Sequence, residues 1–222
     1  MRRLLLVRHA ATPATRTLTF PADEALDARG LTDAAALARA LPADPGEVLC
    51  SPAGRCRQTV TAAGLATPVV DARLAEGDFG TWAGRTLEEI HADDLAAATA
   101  WMTDPDAAPH GGESLTTFSA RVGEWLDEQG QLDGRAVAVT HGGVIKAAIV
   151  RALGAPVMSF WRVDVAPLSI TTLHAHQGRW TVVRTNALTA TKRVGAPAAA
   201  AQAPGLALGS AGVRPADQGV DR

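Results

Sequence analysis

Apolar residues in this chain fall into short unbroken runs bounded by charge, glycine or proline. Such runs predict buried strands, and three stand out at 4–7, 47–50 and 136–140. A second pattern has a helical period. In 114–129, Leu115, Phe118, Val122, Trp125 and Leu126 share one face. Helices are also expected at 32–41, which is Ala/Leu-rich and stopped by Pro42, and at 55–65 after Pro52 and Gly54. Another is expected in two pieces over 86–103, and one more runs from the Gly142–Gly143 pair to Leu153. The stretch 68–74 reads as extended. The runs 163–165, 169–174 and 180–185 read as closing strands with a turn at Gly178. Residues 10–29, punctuated by Pro13, Pro21 and Gly30, read as irregular.

Strands alternating with helices predict an α/β fold with a largely parallel sheet. The alternation stops near residue 190. The stretch "VGAPAAAAQAPGLALGSAGVRPADQGVDR" is rich in Ala, Gly and Pro and has no period. A folded domain is therefore expected over 1–188 and a disordered tail over 189–222, with room for a short helix at 198–203.

Composition narrows the field. With 222 residues and 47% hydrophobic content, the chain can bury one sizeable core. A formal net charge of −2 gives no electrostatic case for nucleic acid. No apolar run approaches the ~20 residues of a membrane helix. The opening "MRRLLLV" is too short in its apolar part for a signal peptide, and Arg8-His9 breaks it, so the chain is expected to be cytoplasmic. Two cysteines, Cys50 and Cys56, exclude a disulfide framework. In "CSPAGRC", Arg55 follows Cys50 after four residues and Arg57 after six, the wrong spacing for a cysteine-nucleophile phosphate loop. Both cysteines read as small hydrophobes.

Four segments could carry chemistry: Arg8-His9 after the first strand, "SPAGRCRQT" after the second, "LAEGDFGTWAG" from Leu74 to Gly84, and "VTHGGVIK" around His141. Each residue alone admits an ordinary structural role, as a surface cation, a core-edge histidine or a helix cap. Together, Arg8, Arg55, His9, His141 and Glu76 form a cationic set with a single acid. Three of the segments follow strands, so a parallel sheet would gather them at one edge. A phosphoryl group in transit spreads negative charge over its equatorial oxygens, which the planar fork of arginine matches. A neutral imidazole can attack phosphorus in line, and a protonated carboxyl group can supply the leaving oxygen with its proton. On chemistry alone Asp78 would serve as well as Glu76.

This ordered set resembles the histidine phosphatase, or phosphoglycerate-mutase-like, superfamily. The matching pieces are Arg8-His9, Ser51-Pro52 with Arg55, Leu74 with Glu76, Gly80 and Gly84, "GES" before the long helix, and His141-Gly142. They cover roughly residues 3–187 in order. The resemblance implies a three-layer sandwich with helices on both faces of the sheet. It implies that His9 is phosphorylated, that Arg8, Arg55 and His141 hold the phosphoryl oxygens with Gly142, and that Glu76 is the proton donor. Thr12 matches a residue that touches phosphate. Thr15 stands where the family has an asparagine. Ala10 stands where glycine is common.

The expected activity is hydrolysis of a small phosphomonoester with no metal and no cofactor. Residues 85–112 leave little room for the covering insertion of the cofactor-dependent mutases, so water should reach phospho-His9. The α-ribazole phosphatases, the phosphoglycerate mutases and a non-enzymatic interaction module on the same fold are the alternatives. Phe20, Phe79, Trp82, Trp101 and His110 are the residues expected around the outer pocket, if they do not merely pack the loop. His174 and His176 share a strand face, but no further metal ligands stand nearby.

Overall fold

The computed structural model describes residues 1–187. The expected tail and its short helix lie outside them. Strands β1 (Arg2–Arg8), β2 (Glu47–Cys50), β3 (Val69–Val70), β4 (Gly134–Thr140), β5 (Ile170–His176) and β6 (Arg179–Ala187) form one sheet in the order β3-β2-β4-β1-β5-β6. The pairs β1–β4, β2–β4 and β2–β3 are parallel. The pairs β1–β5 and β5–β6 are antiparallel.

Side chains alternate across a strand, and here the alternation divides the core in two. Leu4, Leu6, Ala136 and Ala138 join one apolar cluster; Leu5, Val7, Val137 and Val139 join another. Unbroken apolar runs suit these strands because both faces are covered. The helices are α1 (Pro13–Thr17), α2 (Ala28–Ala36), α3 (Gly54–Ala62), α4 (Leu87–Asp93), α5 (Leu95–Thr103), α6 (Leu115–Gly130) and α7 (Gly142–Leu153). The first cluster takes Phe118, Val122 and Trp125 from α6 and Ile145 and Ile149 from α7. The second takes Ala34 from α2 and Cys56 and Val60 from α3. Helices thus cover both faces, giving three layers.

Several local expectations fail. The second helix begins at Ala28, not at residue 32, because Asp27 caps it by accepting from Gly30 N at 2.6 Å. Gly30 is a helical residue held to glycine by contact: a Cβ there would lie 2.4 Å from Ala11 O. The stretch 10–29 also contains α1, opened by Thr12 and Pro13. The run 68–74 shortens to the two-residue strand β3 and a 3-10 turn at Ala72–Leu74. Residues 163–165 are not a strand. They form a loop, closed when Leu168, in the left-handed region at φ 59°, donates its N–H to Arg8 O at 3.0 Å.

The parallel strands end together. His9 N donates to Thr140 O at 2.8 Å and Ser51 N to Val139 O at 3.0 Å, so the exits of β1, β2 and β4 are tied at one edge.

Candidate active site

His9 leaves β1 at this edge and is 5% exposed. Its Nδ1–H donates to Ala10 O at 2.7 Å, which leaves Nε2 with the lone pair. Arg55 Nε donates to that nitrogen at 3.3 Å. A guanidinium can only donate, so both contacts demand the same tautomer. Burial first, then the charges of Arg8 and Arg55, bring the His9 pKa down to about 3. The imidazole is neutral at physiological pH.

His141 follows β4 and is fully buried. Its Nδ1 accepts from Arg55 Nη2 at 3.2 Å, so its Nε2–H donates to Ser51 Oγ at 2.7 Å. Burial, then His9 and the nearby arginines, hold it well below the usual histidine range. The His9 and His141 rings stand edge to face with centroids 5.2 Å apart. Arg55 therefore bridges two neutral imidazoles. It sits in the first turn of α3, where Asp23 Oδ1 caps Gly54 N at 3.1 Å. Its Nη1 lies 4.0 Å from carboxylate oxygens of both Asp23 and Glu24.

Arg8 keeps the strand parity of Leu4 and Leu6 and so faces the α6–α7 layer. Its Nη1 donates to Val165 O at 2.5 Å, while its buried Nε has no partner. Burial lowers its pKa, and the charges of Glu76 and Asp164 oppose that. Glu76 is held by two amides: Gly77 N and Gly143 N each donate to its carboxylate at 3.2 Å. A Cβ on Gly143 would lie 2.2 Å from Glu76 Oε1, so the glycine is what lets the first turn of α7 approach the acid. Asp78 is exposed, and its Oδ1 accepts from Gly80 N at 2.9 Å, within its own turn. The "GES" segment braces this loop. Glu113 N donates to Asp78 O at 2.9 Å, and Arg121 clamps the Glu113 carboxylate at 2.9 and 2.7 Å.

Thr12 and Thr15 meet each other as a reciprocal cap on α1. Thr12 Oγ1 accepts from Thr15 N at 3.1 Å and donates to Glu24 Oε1 at 3.0 Å. Gly142 opens α7 beside Arg8, whose Nε would lie 3.3 Å from a Cβ there.

A cavity of about 240 Å³ opens at Arg8, Glu76, Gly142 and Gly143. Of the five residues expected around an outer pocket, Phe79 and Trp101 line it. Trp82 instead forms a small satellite core with Ile90 and Ala98, against which Phe20 packs. His110 is buried with its ring 5.1 Å from that of Trp82. Sequence reasoning missed Lys146, Trp161 and Asp164, all of which line the cavity. Lys146 was findable, since it lies four residues after Gly142 on one helix face. Among the described residues no group of three or more His, Cys, Asp or Glu side chains is placed to hold a metal ion.

The chain is similar to known proteins. A family model described as the histidine phosphatase superfamily (branch 1) matches residues 4–188. The glucosyl-3-phosphoglycerate phosphatase of Mycobacterium tuberculosis is 33% identical over 175 residues, covering 72% of this chain and 78% of the relative. The adenosylcobalamin/alpha-ribazole phosphatase of Escherichia coli is 30% identical over 203 residues, covering 86% and 94%. A mycobacterial glucosyl-3-phosphoglycerate phosphatase solved with VO3 superposes with a TM-score of 0.75 at 32% identity, over 84% of this chain and 100% of that one. The alpha-ribazole phosphatase of Shigella flexneri gives 0.73 at 28% identity, over 86% and 100%.

Proposed function

Since this chain belongs to the histidine phosphatase superfamily, we propose that it is a phosphomonoester hydrolase that turns over a small phosphorylated metabolite through phospho-His9, without a metal. The observation that carries the assignment of roles is the neutral His9, its tautomer set by Ala10 O and its lone pair met by Arg55. When the phosphoryl group arrives, Arg55 turns its donors from the two imidazoles to the phosphoryl oxygens. Arg8, with unused donors, completes the clamp, and His141 joins it once Arg55 has turned away: its proton shifts to Nδ1, which donates to a phosphoryl oxygen, while Ser51 Oγ–H donates to Nε2. Nε2 of His9 forms a bond to phosphorus as the ester P–O bond breaks, and protonated Glu76 gives its proton to the departing alkoxide. Water then attacks phospho-His9. Glu76 takes a proton from that water, the N–P bond breaks, and inorganic phosphate leaves.

Glu76 rather than Asp78 is supported as the acid because Glu76 lines the cavity beside Arg8, whereas Asp78 is exposed. Hydrolysis rather than mutase chemistry is supported by residues 85–112, which hold only the short helices α4 and α5. The activity is assigned to 1–188, with 189–222 as an appended tail. A cytoplasmic setting belongs to the same reading, and two free, buried cysteines fit it. Among the described residues no helix is long and apolar enough to cross a membrane.

The test is p-nitrophenyl phosphate hydrolysis by wild type and His9→Ala, each with and without chelator. The wild type should release phosphate equally in chelator and should yield an acid-labile, base-stable phosphoenzyme. His9→Ala should do neither. Full activity in His9→Ala, or loss in chelator restored by magnesium, would overturn the reading.

A further inference from the structure

The cavity beside Glu76 holds one more cation than this hydrolysis uses. Lys146 lies one turn beyond Gly142 on the same face of α7, about 6 Å along the helix axis. Its side chain lines the cavity with Arg8 and Glu76. Every other cation around the site has a bonded partner. Arg121 holds Glu113, Arg8 reaches Val165 O, and Arg55 bridges the histidines. Among the described residues, the Lys146 ammonium has no hydrogen bond and no carboxylate at ion-pair distance. Its Nζ lies over the face of Phe160, 5.2 Å from the ring centroid. Trp101 and Trp161, packed edge to face with centroids 4.7 Å apart, continue that wall.

An ammonium so placed loses hydration and gains little in return. Burial lowers its pKa, and only the longer-range charges of Asp164 and Glu76 oppose this. The apolar wall also lowers the local dielectric, which strengthens attraction to any anion that enters.

We propose that Lys146 binds a second anionic group on the alcohol part of the substrate, so that the enzyme prefers phosphomonoesters carrying another negative charge a few bonds from the ester oxygen. The proposal rests on the hydrolase reading above, since it takes the phosphoryl group to lie at the start of α7. The spacing suits it: one helical turn separates the phosphoryl end of the cavity from the ammonium.

The experiment compares D-3-phosphoglycerate with glycerol 3-phosphate, which replaces the carboxylate by a neutral CH₂OH. The readout is the ratio of their kcat/KM values in wild type, Lys146→Met and Lys146→Arg. Methionine keeps the packing on Phe160 and removes the charge. A hydrogen bond to a charged partner is large enough that Lys146→Met should lower the ratio about tenfold or more, through KM for 3-phosphoglycerate. Lys146→Arg should restore most of it. An unchanged ratio, or an equal loss on both substrates, would overturn the proposal. Calorimetric binding of 3-phosphoglycerate to His9→Ala, with and without Lys146→Met, separates this from the hydrolase reading. Binding at least tenfold weaker in the double variant supports the Lys146 site even if turnover fails. Equal affinity, or no binding to either, removes it.

Discussion

Strand β1 has an arginine at each end, and the two are treated differently. At the amino end Arg2 is 3% exposed. Its terminal nitrogens donate to Glu47 Oε2 at 2.7 Å, Gln129 Oε1 at 2.6 Å and Asp133 O at 3.1 Å. At the carboxyl end Arg8 has one carbonyl, Val165 O, and a cavity in front of it. Both side chains sit in low-dielectric surroundings and both leave a buried Nε without a partner, yet only Arg2 has its terminal nitrogens closed by the protein on every side. The difference shows that a buried charge is not in itself the mark of a site. A buried charge that opens on a cavity is.

The largest expected effect breaks the pair apart. Arg8→Ala should lower kcat/KM for p-nitrophenyl phosphate by about 10³-fold, the scale of losing a transition-state donor. It should leave the thermal midpoint level or slightly raised, because a poorly compensated buried cation is gone. Arg2→Ala should do the reverse. It orphans Gln129 and Glu47, costing about 2 kcal/mol, discounted because Glu47 is 42% exposed. Its turnover should stay within about threefold of wild type. Parallel kinetics and melts on the two variants check this, and matching losses in both would erase the contrast.

Carboxylates sharpen it further. Glu76 at the carboxyl edge and Glu47 at the amino edge can each be changed to Gln. Glu76→Gln should slow an alkyl phosphate by about 10²-fold, the usual contribution of a general acid, while an aryl phosphate with a good leaving group slows far less. Glu47→Gln should slow neither. Equal slowing of alkyl and aryl esters by Glu76→Gln would move the acid role to Asp78.

The smallest effect concerns acid. His9 falls from its ordinary 6.5 to about 3 on folding. Between those values the unfolded chain binds a proton that the native chain does not. Stability is therefore whole above pH 6.5 and is lost as pH falls, at up to about 1.4 kcal/mol per pH unit for each such histidine. His141 adds in the same direction. Denaturant melts at pH 7 and pH 5 should show a shallower acid loss in His9→Ala than in wild type. Arg2→Ala should keep the wild-type slope, since no histidine bonds to its cluster. Identical slopes in wild type and His9→Ala would mean that folded His9 takes up the proton.

The sheet was legible in the sequence because its central strands are buried on both faces and so read as unbroken apolar runs. The ends of those runs announced Arg8, His9 and His141. What escaped was set by contacts made at a distance. Residues 163–165 have strand composition, but Arg8 takes the Val165 carbonyl that a neighbouring strand would need. Gly30 looked like punctuation and is a helical residue pressed against Ala11 O. Lys146 and Trp161 become neighbours only when α7 and the turn at Val157–Arg162 pack around one cavity. No local pattern joins them.

The bond from His9 to Ala10 O places one feature of the chemistry beyond the reach of mutation. The acceptor that sets the His9 tautomer is a main-chain carbonyl, which all twenty residue types supply alike. No codon change at position 10 can delete it, and a scan of side chains would record that position as a matter of size alone. Ala10 is fully buried, with its N–H held by Thr59 Oγ1 at 3.1 Å. Drift at this position is therefore filtered by volume, while the proton on the neighbouring imidazole is inherited unchanged with the backbone.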